Sequence, residues 1–476
     1  MNNCQVFTPD CIVNMMLDKL NYTGDNIRTK TIFEPSFGDG AFLTAIVKRM
    51  LDYATEHNLS VEETYNILNN IHGLELDKKY YDITIKRLNG IVSTYGIEYE
   101  WKNLICGNTL HYIPPVKFDL CVANPPYQKI QHLDSTTRAE IEANYKFGIG
   151  NTDLYVVFFE YCLKVMSDAG KLCFITPNSY FKNSSQAPFR RYLADKNLVQ
   201  SIVDYCNVKV FGSIATYTAV VLLDFAKESR ATKYIMMKSE TEEEYTASVD
   251  LKSFGIKPWT FTNASDAKFL AKIAKRKTKL KDLCDIQHGV ATNADRIYVV
   301  NKNDVGNFED GILRPATKAS TLDSENKIIF PYTWNEEAGR YEVIGEENMK
   351  SQYPKAYKYL SANRTVLDQR DMERSNTEWY QYARSQGIQN SNNKKIALKH
   401  ILSSEATVCE IQELDEAALV YSGIYIVVKD AKNYELIKKI LLSKEFHKYL
   451  LLVGKNMAGG YRNVSAKFVK EYGIKM

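Results

Sequence analysis

Short apolar runs alternate with helix-period stretches through the first half of the chain. Thr31–Glu34, Ile71–Leu74, Phe118–Ala123, Lys171–Thr176, Ser201–Asp204 and Ala219–Phe225 have the length and bounding polar turns of buried strands. Between them, Asp39–Glu56 repeats Phe42, Ile46, Val47, Met50 and Leu51 at helical spacing, and Leu154–Met166 predicts a second, strongly apolar helix. Strands alternating with helices predict an α/β domain with a doubly wound sheet. The polar stretch Lys238–Asp250 reads as a surface hairpin or linker and places a domain boundary near residue 245. Two domains are expected, residues 1–245 and 246–476. Beyond Ala264 the pattern becomes mixed α+β, rich in tyrosine and basic residues, without an internal repeat or low-complexity tract.

Composition narrows the class. The 476 residues suffice for two or three domains with full cores, and 45% hydrophobic with 25% charged residues is ordinary for a soluble protein. No run approaches the length of a membrane span, and the start, Met1-Asn2-Asn3-Cys4, lacks the basic and apolar regions of a signal peptide. The nine cysteines are scattered with no Cys-x-x-Cys pair, which predicts reduced thiols in a cytoplasmic setting and no zinc site. The seven histidines are equally dispersed; His72 and His111 read as packed or surface side chains, and no metal is expected. Charge is uneven. Residues 1–250 carry 25 Lys+Arg against 30 Asp+Glu, and residues 251–476 carry 36 against 27. A basic second half suits a polyanion, although a lysine-rich solvated surface would give the same excess.

The candidate chemistry lies where strands end. Glu34-Pro35-Ser36-Phe37-Gly38-Asp39-Gly40 follows the first strand and opens a helix; the two glycines permit a sharp turn and close approach to a ligand. It is shorter than a dinucleotide fingerprint and has no phosphate-binding lysine, so it suits the zwitterionic end of S-adenosylmethionine better than a pyrophosphate. Glu75, at the tip of the second strand, can accept ribose hydroxyls, while Asp77 suits a helix cap. Asn108 can meet the adenine ring of such a cofactor or serve simply as a turn asparagine. Asn124-Pro125-Pro126-Tyr127 ends the next strand. The Asn124 side-chain oxygen and the Pro125 carbonyl offer two acceptors to an amino group, and Tyr127 offers a stacking face. Taken alone, the tetrapeptide is equally a strand stopped by a proline turn.

Together these turns resemble the gamma-class DNA adenine-N6 methyltransferases of restriction–modification systems. Gln5-Val6-Phe7-Thr8-Pro9, with Ile12, Val13, Met16 and Leu17 on the following helix, matches that family's motif X. Glu34 to Gly40 matches motif I, Glu75 motif II, Asn108 motif III and Asn124 to Tyr127 motif IV. Asp153-Leu154-Tyr155 matches motif V, Ile175-Thr176-Pro177-Asn178 motif VI, and Val210-Phe211 with Tyr217-Thr218-Ala219-Val220-Val221 motif VIII. Leu283 to Thr292, Trp379-Tyr380 with Arg384, and Gly459-Gly460-Tyr461-Arg462 resemble its target-recognition region more loosely. Asn108 stands where aspartate is common, and Phe37 where a small residue or cysteine is common.

The resemblance implies a Rossmann-like S-adenosylmethionine-dependent catalytic domain followed by a target-recognition domain, acting on double-stranded DNA in a prokaryotic cell or a virus infecting one. A cognate restriction endonuclease would act separately. It implies cofactor contacts from Thr8, Glu34, Pro35, Ser36, Gly38, Asp39, Gly40, Glu75, Asn108 and Asn124, with catalysis at Asn124, Pro125, Pro126 and Tyr127. Duplex adenine must leave the stack to reach such a pocket. Tyr127 is the expected partner for one face of the flipped base; Phe211 fits the other face or the core. Lys272, Lys275, Arg276, Lys277, Lys279 and Lys281 form the densest basic cluster, a phosphate track or a solvated helix face. Lys275, Lys277, Arg384 and Arg462 are the candidates for DNA contact. An RNA or protein-glutamine N-methyltransferase could use the same tetrapeptide, and a non-catalytic DNA-binding subunit is the alternative of another class. A glutamine enzyme needs no basic domain of this size, and a dead subunit needs no intact Asn124, Tyr127, Glu34 and Gly38.

Overall fold

The computed structural model describes residues 8–206, 208, 210–211, 217–373, 377–389, 392–457 and 461–475. Gln5, Val6, Phe7, Gly459 and Gly460 lie outside the described residues. The chain divides into two compact units, Met1–Asn263 and Ala264–Met476.

The first unit is built on nine strands: β1 (Ile32–Glu34), β2 (Ile71–Glu75), β3 (Leu104–Cys106), β4 (Phe118–Ala123), β5 (Met166–Pro177), β6 (Val199–Asp204), β7 (Thr218–Asp224), β8 (Ala231–Met237) and β9 (Glu243–Asp250). They lie in the order β3-β2-β1-β4-β5-β7-β6-β8-β9. Neighbours from β3 to β5 are parallel, and β7 runs antiparallel between β5 and β6. Chain order reverses between β1 and β4, which opens a crevice beyond the strand C-termini.

Side-chain alternation fills both faces of this sheet. Ile32, Leu120 and Val122 pack in one core with Ile46, Val47 and Met50 of the helix Ala41–Glu56. Phe33, Cys121 and Ala123 point into the other, against Val156, Val157 and Phe159 of the helix Leu154–Val165. That helix is apolar nearly all round because the sheet and flanking helices enclose it.

The polar stretch Lys238–Asp250 is more than a linker. β9 pairs antiparallel with β8 as the edge of the same sheet, and its burial alternates as a half-solvated edge strand should. Trp259, 1% exposed, packs on Phe181 and donates its backbone N–H to the Phe181 carbonyl at 2.8 Å. A cut at 245 would fall inside β9, and the compact unit continues to Asn263.

The second unit is mixed α+β. Cys284–His288, Ile424–Val428, Lys395–Leu398 and Ile411–Leu414 form an antiparallel sheet. Val299–Val300, Asp323–Ile329, Leu313–Lys318 and Leu419–Tyr421 form a second sheet, beside the hairpin of Tyr332–Asn335 with Arg340–Val343. Among the described residues no helix is long and apolar enough to cross a membrane.

Candidate active site

A cavity of about 500 Å³ opens at the C-terminal ends of β1, β2 and β4. Its wall brings together Thr8, Glu34, Pro35, Ser36, Gly38, Asp39, Glu75, Asn108 and the whole Asn124–Tyr127 tetrapeptide. Gly40 stands just behind it as the residue that opens the helix Ala41–Glu56, with φ +77°. A Cβ on Gly40 would come 2.5 Å from Thr84 Cγ2, and Thr84 Oγ1 donates to the Gly38 carbonyl at 2.9 Å. The turn therefore needs glycine both for its left-handed backbone and for close packing on the helix Lys78–Thr94. Phe37, the unusual residue of the turn, is buried against Tyr81 with ring centroids 6.0 Å apart.

Four carboxyl groups lie at this turn and the neighbouring strand end. Glu75 Oε2 accepts the Gly38 N–H and Oε1 accepts the Asp77 N–H, both at 2.8 Å. Its carboxyl thus shapes the turn, and each oxygen retains a second lone pair for a ligand hydroxyl. Asp77 caps the following helix by accepting the Lys79 N–H. Asp39 is held by Arg87 at 3.5 Å. Glu34, 2% exposed, has a buried Oε2 without a hydrogen-bond partner among the described residues. Burial pushes its carboxyl well above the usual range; the charges of Asp39 and Glu75 add to this, and the Leu43 amide opposes it.

Through Glu34, folding depends on pH. Above about pH 4.5 the unfolded chain has released a proton that the folded chain still holds. This contribution to stability is therefore present at low pH and is lost as pH rises towards the folded value. Glu34→Gln is expected to raise the melting temperature of the ligand-free protein at pH 7–8, with the gain vanishing on acidification to pH 4. Parallel melting curves of the two proteins across that range would remove Glu34 from this role.

Asn124 follows β4 directly, and its Nδ2 donates to Thr8 Oγ1 at 3.1 Å. This bond uses an N–H of the amide and orients its carbonyl end. Tyr127 donates its hydroxyl to the Ile175 carbonyl at 3.3 Å, and burial raises its phenol well above the usual value, with Tyr155 adding to the effect. It is a ring surface rather than a base. Phe211 is 7% exposed and meets Tyr127 edge-on, with centroids 6.5 Å apart and planes at 61°. A planar ligand between the two rings requires one of them to turn. Asn108 lies at the cavity wall while its Oδ1 accepts the Leu110 N–H at 3.0 Å, so it is also the turn asparagine.

Sequence reading missed the apolar part of the wall: Leu76, Leu110, Leu133, Ile141 and Phe158. Leu76 carried a signal, an apolar side chain between two acids at a strand tip, and it is 71% exposed. Leu133 and Ile141 come from residues 128–150, which matched no motif. Ile141 lies on the helix Ser135–Asn144, and the loop after that helix is fastened by Glu160, which accepts the Lys146 and Phe147 N–H groups at 2.8 Å.

In the second unit the basic cluster divides. Arg276 is held by Glu445 at 2.8 and 2.7 Å, Lys279 reaches the Ala274 carbonyl at 2.8 Å, and Lys281 pairs with Glu471 at 2.7 Å. Lys272, Lys275 and Lys277 are exposed. The cluster is therefore not one continuous track: Arg276 and Lys281 tie this region to Glu445 and Glu471 of the C-terminal segment, and Lys279 caps the end of the helix Ala264–Lys275. Arg384 pairs with Asp371, so a nucleic-acid contact would have to compete with that pair. Arg462 lies in the strand Tyr461–Asn463 opposite Leu402. Tyr380 is buried, with its hydroxyl on the Ile344 carbonyl at 2.6 Å, and supports the fold.

Residues 45–211 match the family model of the Eco57I restriction-modification methylases. The chain is 23% identical to the Type II methyltransferase M.BstVI of Geobacillus stearothermophilus, over 98% of this chain and 89% of that protein. It is 22% identical to the Type II methyltransferase M.PaeR7I of Pseudomonas aeruginosa, over 98% and 85%. Its fold resembles the Type IIL restriction-modification enzyme MmeI, solved in complex with DNA, with a TM-score of 0.65 at 13% identity. That likeness covers 97% of this chain, which spans 64% of the MmeI chain, less than two thirds of its length.

Proposed function

For this chain, a restriction–modification DNA methyltransferase related over nearly its whole length to the Type II enzymes, we propose adenine-N6 methylation of duplex DNA at one short specific site. The observation that carries the reading is the shared cavity. Asn124, Pro125 and Tyr127 line the same wall system as the Glu34–Asp39 turn and Glu75.

S-adenosylmethionine would supply the electrophilic methyl group. The residues fit it: the buried Glu34 Oε2 lacks a partner among the described residues, and the carboxyl groups of Asp39 and Glu75 line the same wall as acceptors for a cationic ligand. Thr8, Glu34 and the Gly38 turn would hold its amino-acid end, Glu75 its ribose, and Asn108 with Leu76 its adenine. Glu75→Ala is expected to weaken cofactor binding by about 1.5–3 kcal/mol, since a buried polar contact loses its charged acceptor. Calorimetry on the purified protein measures this, and an unchanged affinity would release Glu75 from the site.

The exocyclic nitrogen of adenine is a weak nucleophile because its lone pair is delocalised into the ring. The Asn124 carbonyl oxygen and the Pro125 carbonyl accept its two N–H groups and favour a pyramidal nitrogen as positive charge develops. Tyr127 stacks on the flipped base and holds it in line. The strongly disfavoured Tyr127 phenolate fits a mechanism without a phenolic base. Residues 264–476 select the site, with Lys275, Lys277 and Arg462 as candidate contacts.

The test is product identity. The protein is incubated with labelled cofactor and unmodified duplex DNA, which is then digested to nucleosides. Label in N6-methyladenine is expected; label in N4-methylcytosine, or only in RNA or protein, overturns the reading.

A further inference from the structure

One buried carboxyl outside the cavity braces the supports of both rings at the proposed target position. Asp204 ends β6 and is 5% exposed. Its Oδ1 accepts Asn178 Nδ2 at 2.8 Å and the Cys206 N–H at 3.0 Å, and its Oδ2 accepts the Tyr234 hydroxyl of β8 at 2.9 Å. Three donors from three segments meet on one side chain.

Two arms lead from it towards the rings. Along the first, Asn178 starts the turn Asn178–Phe181, and the hydroxyl of its neighbour Ser179 lies 3.2 Å from the Tyr155 hydroxyl. The Tyr155 ring supports Tyr127 edge-on, with centroids 6.3 Å apart. Along the second, Cys206 takes a left-handed backbone, φ +48°, which a side-chain-bearing residue holds only when its surroundings enforce it. From there Val208 N–H donates to the Tyr205 carbonyl at 2.7 Å and Val210 N–H to the Val208 carbonyl at 3.2 Å, and Phe211 follows against Tyr127. The feet of this segment are also tied: Tyr205 N–H donates to the Thr218 carbonyl at 3.0 Å and Asn178 N–H to the Tyr217 carbonyl at 2.8 Å.

We infer that Asp204 is a positioning residue for the target base, anchoring at Asn178 and Cys206 the backbone segments from which Tyr127 and Phe211 are supported, while the rings themselves stay free to turn about their side-chain bonds. The inference rests on the adenine-methylation reading above. It also separates from a merely structural role. The turns after β1, β2 and β3 that form the cofactor side of the cavity share no residue with this network. Loss of positioning lowers turnover and spares cofactor affinity, whereas general loosening of the sheet lowers both.

The test compares Asp204→Ala, Asp204→Asn and Tyr234→Phe in the full chain. It uses labelled S-adenosylmethionine and genomic DNA from a host lacking the modification, with cofactor affinity measured by calorimetry. Asp204→Ala is expected to reduce kcat about 100-fold, as a displaced reacting group does, with cofactor Kd and KM for DNA unchanged. Asp204→Asn restores turnover, because a carboxamide oxygen can accept both arms while its NH₂ donates to the Tyr234 hydroxyl. Tyr234→Phe keeps kcat, since it leaves both arms bonded. If Asp204→Ala fails to fold, Asn178→Ala carries the test, with the same loss of kcat at unchanged cofactor Kd. Wild-type kcat in Asp204→Ala or Asn178→Ala, a parallel loss of cofactor affinity, or no rescue by asparagine overturns the inference. A wild-type protein that leaves DNA unlabelled overturns the methylation reading and this inference with it.

Discussion

Asn124→Ala is expected to cut methyl-transfer turnover by about 100- to 1,000-fold, the usual cost of removing a group aimed at developing charge. Folding and cofactor binding should change little. Asn124 follows β4, which is clamped between β1 and β5, so its strand does not depend on the side chain. The substitution removes the bond to Thr8 Oγ1 at 3.1 Å. Single-turnover rates at saturating cofactor, with calorimetric affinity and a melting curve, separate these effects. Methylation near the wild-type rate would refute the assignment of the amide to the nucleophile.

Removing Ala264–Met476 is expected to leave a chain that binds cofactor and has lost its choice of DNA site. Specific over non-specific affinity should fall on the order of 10³-fold, the low end of what a recognition surface supplies. The full chain should bind DNA with a steep loss of affinity as salt rises, because residues 251–476 hold the basic excess of 36 Lys+Arg against 27 Asp+Glu. The cut belongs after Asn263 because Glu243–Asp250 completes the sheet and Trp259 is buried on Phe181. Methylation of the same site with the same selectivity by residues 1–263 alone would place recognition in the wrong half.

Much of the first unit was legible in the sequence alone. The runs at Thr31–Glu34, Ile71–Leu74 and Phe118–Ala123 are strands within a residue at either end, since a parallel strand buried on both faces reads as a mostly apolar run. The glycines of the Glu34–Gly40 turn were readable because φ +51° at Gly38 and φ +77° at Gly40 have few other occupants. β9 was not readable as part of the sheet. A half-solvated edge strand of Glu, Thr and Ser has the composition of a linker, and only pairing with β8 distinguishes it.

Side-chain partnerships were the part that sequence could not supply. Arg276, Lys279 and Lys281 read as a basic run, yet their charges are taken up by Glu445, the Ala274 carbonyl and Glu471. Glu75 read as a ribose acceptor, and its bonds to the Gly38 and Asp77 amides emerge only when β1 and β2 lie side by side. The sequence by itself determined the strands, the turns and the order of chemical groups along them, because those depend on periodicity and on backbone conformations that neighbouring residues allow. Tertiary structure alone decided which of those groups meet, which charges are spent on internal partners and how Asp204 gathers Asn178 and Tyr234 onto one carboxyl, because hydrogen bonds and burial depend on distances between segments far apart in the chain.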